Sequence, residues 1–148
     1  MRALSSMLDV SPEQASAWVE HSFFSVEGGH ATATSLLARG ATGIVCGSDL
    51  MALGAIRAAR RQSTGGVPLS HSVVGCDDSP LVAFTDPPLT TVRQQVQAMG
   101  TAAVRALLDA VAGRPVPSTE YVFCPELVVR GSTAAAPTPV PAGVPAPR

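Results

Sequence analysis

Residues 42–61, TGIVCGSDLMALGAIRAARR, change character at their middle. Thr42 to Gly47 is a short apolar run, the pattern of a buried strand. From Asp49 to Arg61 the chain is rich in Ala, Leu and Met and reads as a helix. Ser48 and Asp49 stand at the join, short polar residues of the kind that accept hydrogen bonds from the free N–H groups of a helix start. A buried strand that passes straight into a helix is the unit from which α/β folds are built.

The same alternation extends in both directions. Downstream, Ser72 to Cys76 reads as a second buried strand, and Pro80 to Phe84 as a helical turn. Asp86-Pro87-Pro88 must be extended, because proline fixes its own φ and pushes the preceding residue out of the helical region. Thr90 to Val92 reads as a short strand. Gln94 to Ala112 is the longest helical pattern, ended by Gly113 and Pro115. Its apolar positions Val96, Met99, Ala103, Leu107 and Val111 advance by three or four residues and mark a face expected to be buried. Tyr121 to Phe123 and Leu127 to Val129 close the series as strands. Upstream, Trp18 to Phe24 reads as a strand, and Ser25 opens a helix that runs through Leu37, with Gly40 as its stop. The expected fold class is α/β: a parallel sheet with flanking helices. Ser132 to Arg148, STAAAPTPVPAGVPAPR, repeats proline without hydrophobic periodicity. The expected organisation is a folded body over 1–131 and a disordered Pro/Ala-rich tail over 132–148.

Composition narrows the function. The chain has 148 residues, the length of one domain. Hydrophobic residues make up 46% and charged residues 14%, which is enough apolar material for a core and excludes a mainly disordered chain. The net charge is -1, and the ten positive residues are all Arg, spread from Arg2 to Arg148. A DNA-binding domain concentrates positive charge to neutralise phosphates, and no such stripe is present. Cys46, Cys76 and Cys124 form no CxxC pair, and His21, His30 and His71 do not complete a metal-ligand spacing with them. They are expected to be buried, reduced thiols of a cytoplasmic protein. The N-terminus lacks a signal-peptide core and no stretch approaches the ~18 apolar residues of a membrane span, so no membrane partner is expected.

In open parallel sheets, ligands bind outside the carboxyl ends of strands. Two strands end in small and acidic residues there: Ile44-Val-Cys-Gly-Ser48-Asp49 and Val73-Val-Gly-Cys-Asp77-Asp78. A short carboxylate at this edge accepts hydrogen bonds from the hydroxyls of a small polar ligand. Asp77 fits that role or that of a turn cap; Asp49 fits a helix cap better than a ligand contact. A rival reading places Mg²⁺ on Asp77 and Asp78 for phosphoryl transfer. Against it, the chain holds no phosphate-cradling GxxxxGK[ST] or GxGxxG loop, no lysine and no GxSxG elbow. No enzyme activity and no cofactor are expected.

Four strings occur in order: Gly47-Ser-Asp-Leu-Met-Ala-Leu-Gly-Ala55, Ser72-Val-Val-Gly-Cys-Asp-Asp78, Asp86-Pro-Pro-Leu-Thr-Thr-Val-Arg-Gln94 and Pro125-Glu-Leu-Val-Val-Arg-Gly-Ser-Thr133. The series resembles the C-terminal half of LacI/GalR-type transcriptional regulators, over about Ser22 to Thr133, with a fainter match at Arg2 to Val10. The resemblance implies the C-terminal part of a periplasmic-binding-protein-like sensor, in which two α/β lobes clamp a small effector such as a sugar. Position by position, Asp77 matches the acidic residue that contacts the effector, Ser48 falls where many members carry Asn, and Phe24 matches an aromatic that stacks on the ligand. Phe24 fits core filling equally well. The helix from Leu50 to Arg60 matches one that forms the family's homodimer interface, through Met51, Ala52, Gly54, Ala55 and Ala58; these small residues fit packing on the chain's own sheet as well. The family's helix-turn-helix and most of its first lobe have no counterpart here, so operator DNA is expected to be reached only through an N-terminal head that this chain lacks. The helix from Gln94 to Ala112 belongs to that first lobe, so it is expected to dock back, pair with another copy or fray. A free-standing solute-binding protein of the same fold is the remaining alternative.

Overall fold

The computed structural model describes residues 11–62, 71–115 and 120–135. Strands β1 (Gly43–Val45), β2 (Ser72–Cys76), β3 (Thr90–Arg93) and β4 (Glu126–Val128) form one sheet in the order β1-β2-β3-β4. The first three are parallel, as the alternation with helices requires. β4 is antiparallel to β3, so the sheet is mixed rather than purely parallel. An antiparallel strand on the edge of an otherwise parallel sheet is a common variation of α/β folds.

Ser11 and Gln14 form a capping box that starts a short helix α1 (Pro12–Ser16). Helix α2 (Val26–Ala38) starts at Ser25, whose hydroxyl accepts from the Gly28 amide at 3.0 Å. It stops at Gly40, which adopts φ 93°. Helix α3 (Asp49–Gln62) follows β1 directly and packs along α2. The two cross so closely that a methyl group on Gly54 would overlap the Val26 carbonyl, and one on Gly29 would overlap the Met51 backbone. Ala33 and Leu37 of α2, Ala52, Ala55, Ile56, Ala58 and Ala59 of α3, and Ile44, Val73, Val82 and Leu89 from the sheet side make one core. Its small residues explain the low aromatic content: the layers are held together by close approach rather than by large side chains.

The stretch from Trp18 to Phe24 is not a strand. Arg39, just past α2, anchors the chain between α1 and α2. It donates to the Ala17 carbonyl at 2.7 Å and to Glu20 at 2.8 Å, with its guanidinium over the Trp18 ring. Tyr121 to Phe123 also lies outside the sheet; Tyr121 and Val122 are exposed and pair with no described strand. The helical turn near Pro80 is a 3-10 turn at Val82–Phe84.

Ser132, which its composition groups with the tail, is buried in the body. Its hydroxyl accepts from the Thr90 amide at 2.8 Å and donates to the Val73 carbonyl at 2.6 Å, while its own carbonyl accepts from the Val73 amide. Ala134 donates to Ser72. The rest of the expected tail, 136–148, lies outside the described residues. The cysteines differ in their surroundings: Cys46 is buried, Cys76 half-buried and Cys124 exposed, so the expectation of a buried thiol fails for Cys124. Burial pushes the Cys46 thiol up to about 11.

Helix α4 (Val96–Val111) starts two residues later than the expected Gln94, which directly follows β3, and it does not dock. None of its residues is buried, although Val96, Val104, Leu107, Leu108 and Val111 are apolar. The spacing of its stripe is that of a buried face, yet no described element of this chain covers it. Among the described residues no helix is long and apolar enough to cross a membrane.

Candidate functional site

Three neighbouring parallel strands end at the same edge of the sheet, and each hands a side chain to it. Past β1 come Gly47 and Ser48. The Phe24 ring, preceding α2, lies against Gly47, its edge 3.4 Å from where a Cβ there would sit. Phe24 is 69% exposed, so it forms a wall and does not fill the core. Ser48 is buried, and its hydroxyl accepts from the Met51 amide at 3.3 Å, capping α3. Capping uses only the oxygen; the hydroxyl proton is still available to donate.

Past β2 comes the turn that carries Asp77 and Asp78. Both have positive φ, 120° and 54°, which costs on the order of 1–3 kcal/mol per residue and persists only where the surroundings enforce it. The Asp77 amide continues the β2–β3 ladder, donating to the Val92 carbonyl at 2.9 Å. Its carboxylate is exposed at the rim. Gln94, the first residue past β3, donates from Nε2 to Asp77 Oδ1 at 3.2 Å and lies 3.4 Å from Cys76 Sγ. Gln94 therefore belongs to the rim with Asp77. Sequence reasoning misses it, although it follows β3 as directly as Asp77 follows β2. A hollow of about 510 Å³ opens beside it, lined by Cys76, Val92, Met99, Tyr121 and Phe123 among others.

Asp78 points elsewhere. Its carboxylate accepts from Arg130 Nη2 and from Arg93 Nε, each at 2.7 Å, with one oxygen for each guanidinium. Burial alone would raise its pKa, but the hydrogen bonds and charges of Arg130 and Arg93 outweigh that and hold it below the usual carboxylate range. Both oxygens are thus engaged by cations, which counts against the Mg²⁺ reading of this pair. Among the described residues, no cluster of three or more His, Cys, Asp or Glu is placed to hold a metal.

Asp49 is neither a ligand contact nor a simple cap. It is buried, accepting from the Thr91 hydroxyl at 2.6 Å and from the Ser79 amide at 2.7 Å, so it ties α3 to β3 and to the far end of the Asp77 turn. The small residues expected at a dimer interface are occupied inside the chain. Ala52, Gly54, Ala55 and Ala58 are buried against α2 and the sheet, and Met51 is half-buried against the same core. The small size of these four residues serves the α2–α3 crossing within this chain, and Met51 keeps part of its surface exposed.

What this edge can do chemically is bind. It offers an exposed carboxylate oriented by an amide, a free hydroxyl proton and an aromatic wall beside backbone. That set suits a small molecule with hydroxyl groups on one side and an apolar ring face on the other. Among the described residues, no nucleophile is paired with a base there.

Residues 9–133 match the periplasmic binding protein-like domain family. The chain is 64% identical over 132 residues to an uncharacterized HTH-type transcriptional regulator in the aml 5' region of Streptomyces limosus, covering 89% of this chain and 37% of that protein. It resembles the transcriptional regulator CelR solved as a cellobiose complex, with TM-score 0.75 and 31% identity, over 89% of this chain and 40% of that one. It also resembles the lac repressor dimer bound to operator and the anti-inducer ONPF, with TM-score 0.67 and 33% identity, over 77% and 40% of the two chains. The chain thus spans little more than a third of the Streptomyces limosus protein and two-fifths of CelR.

Proposed function

Because the chain belongs to the periplasmic binding protein-like family, on the branch of the LacI/GalR-type regulators, we propose that it is the effector-sensing part of a ligand-controlled transcriptional regulator. The ligand is a small polar molecule, a sugar or a related compound. In the full regulator its occupancy controls transcription, and a helix-turn-helix head outside these residues contacts operator DNA. Such a protein works in the cytoplasm and is not an enzyme. The apolar stripe of α4 is then covered by the first lobe of the regulator, consistent with its lack of any buried residue here.

The observation that carries this reading is the exposed Asp77 carboxylate, fixed at the strand edge in a left-handed conformation with Gln94 beside it. Phe24 and Ser48 complete the proposed effector contacts. Arg93 and Arg130 offset the charges of Asp78 and Glu126, so the charge of Asp77 faces the ligand. That favours a neutral hydroxylated ligand over an anionic one. Calorimetric titration of the chain with cellobiose tests it. Saturable binding that weakens about tenfold or more in Asp77→Asn is expected, since hydrogen bonds to charged groups contribute roughly 1.5–3 kcal/mol. Equal binding by the variant would sink the assignment.

We infer that a homodimer contact uses the outer face of the helix from Leu50 to Arg60 instead of its buried small residues. Beside Leu53, Ile56 and Arg57 lies a hollow of about 380 Å³ that also takes in Thr85 and Asp86. The nearby Leu81 and Phe84 are exposed, Phe84 at 87%. Solvent-facing apolar side chains next to an arginine are suited to a central interface contact.

A further inference from the structure

We propose that Asp78 is the positioning residue of the effector edge: held between Arg130 and Arg93, it locks the left-handed turn that presents Asp77. The inference rests on the reading of Asp77 as a ligand contact and deepens it. The Asp78 side chain is 9% exposed, so it is not itself offered to a ligand. What it holds is its own backbone. Two successive aspartates with positive φ require the surroundings to enforce them. The bonds made by the turn show where that enforcement comes from.

At the far end of the turn, Asp49 takes the Ser79 amide. At the near end, the Asp77 amide bonds Val92. Between them, the Asp78 amide makes only a long contact, 3.4 Å, with the Thr91 hydroxyl. The strong bonds at the centre of the turn are therefore those of the Asp78 carboxylate. Their donors are themselves fixed. Arg130 also donates from Nη1 to the Leu89 carbonyl, and its backbone amide donates to the Thr90 hydroxyl, each at 2.8 Å. Arg93 is shared with Glu126 on β4. A carboxylate that bridges two guanidiniums, with one oxygen on each, defines direction as well as distance, which a single contact does not. Against the cost of its burial, Arg130 and Arg93 hydrogen-bond and attract the charged form of Asp78 and hold its carboxyl below the usual carboxylate range.

The test compares Asp78→Asn, Arg130→Gln and the double variant with the parent chain. Two readouts are used: amide hydrogen exchange resolved by residue, and cellobiose titration. Asp78→Asn keeps the side-chain shape and removes the charge. It is expected to speed exchange at the Asp77 and Ser79 amides about tenfold, and to weaken cellobiose about tenfold, roughly one decade of affinity. The amides of Ala55 and Ala59 in α3 are expected to keep their protection. The double variant is expected to be impaired by less than the sum of the two single ones, because the bond between the two groups is lost in each of them. A purely structural role would lower protection in α3 and in the turn together.

Unchanged exchange at Asp77 and Ser79 overturns the proposal. So does unchanged cellobiose affinity in Asp78→Asn when Asp77→Asn abolishes binding. Should the parent chain not bind cellobiose, the functional reading fails for that sugar, and the exchange pattern alone decides on the lock. If Asp78→Asn does not fold, Arg130→Lys, which keeps the charge but not the fork, is measured by the same two readouts.

Discussion

Helices α3 and α4 are close in length, and both are dominated by Ala, Leu and other small apolar residues, but they occupy opposite situations. α3 buries Asp49, Ala52, Gly54, Ala55, Ile56, Ala58 and Ala59. α4 buries nothing, and its Leu107 and Leu108 are 63% and 57% exposed. The difference is not one of helix-forming ability, since both helices run their full course. It lies in what faces them. α3 meets a second helix whose Gly29 lets two backbones touch; α4 docks on no described element of this chain. An apolar stripe at helical spacing therefore reports that a covering surface is needed, without saying which part of a protein supplies it.

Three experiments break or sharpen that contrast. The largest effect is expected in α3. Gly54→Leu forces a side chain into the Val26 carbonyl and the start of the next turn of α2, where backbone cannot yield. Overpacking typically costs 1–3 kcal/mol, and against rigid backbone we expect about 3 kcal/mol or complete loss of the folded state. A shift in the urea midpoint measures this; an unchanged midpoint would mean that the two helices are less tightly crossed. The middle effect concerns the outer surface near α3. Phe84→Glu is expected to leave the midpoint in place while moving the sedimentation coefficient of a dimer to that of a monomer. A dimer that persists would remove this surface from the interface. The smallest effect is expected in α4. Leu107→Ala with Leu108→Ala should change stability by no more than about 0.5 kcal/mol, as for other exposed positions. A loss of about 2 kcal/mol or more, the usual cost at buried leucines, would show that something covers this helix in solution.

The legibility of the sequence follows the same divide between local and distant causes. Ser25 and Gly40 bracket α2 by chemistry confined to the helix ends, and both are readable. So are β1, β2 and β3, as apolar runs of strand length. Trp18 to Phe24 and Tyr121 to Phe123 mislead because an apolar run signals a strand only when a neighbouring strand takes up its backbone groups. The capping box at Ser11 and Gln14 is a local signal that the strand and helix patterns further along overshadow. At the candidate edge, Asp77 is accessible from its place after a strand. The partners that set its geometry are not. Arg130 reaches Asp78 from 52 residues away, and Ser132 stitches β2 to β3 from a stretch whose composition reads as tail. No pattern within a short window encodes those meetings. The same holds for Ala52, Gly54, Ala55 and Ala58: their small size is evident, and only the fold decides that α2 is what they accommodate.

The contact of Gly29 with α3 and of Gly54 with α2 has a mechanical meaning. Side chains at an interface can change rotamer and let two helices slide; a peptide group against a peptide group has nothing to rotate. α2 and α3 should therefore translate as one piece. Phe24 stands just before α2 and Ser48 just before α3, so the spacing between the aromatic wall and the capped serine is carried by that piece and stays constant. Any change in the width of this edge must come from the Asp77 side, where the geometry depends on side-chain ion pairs instead of backbone.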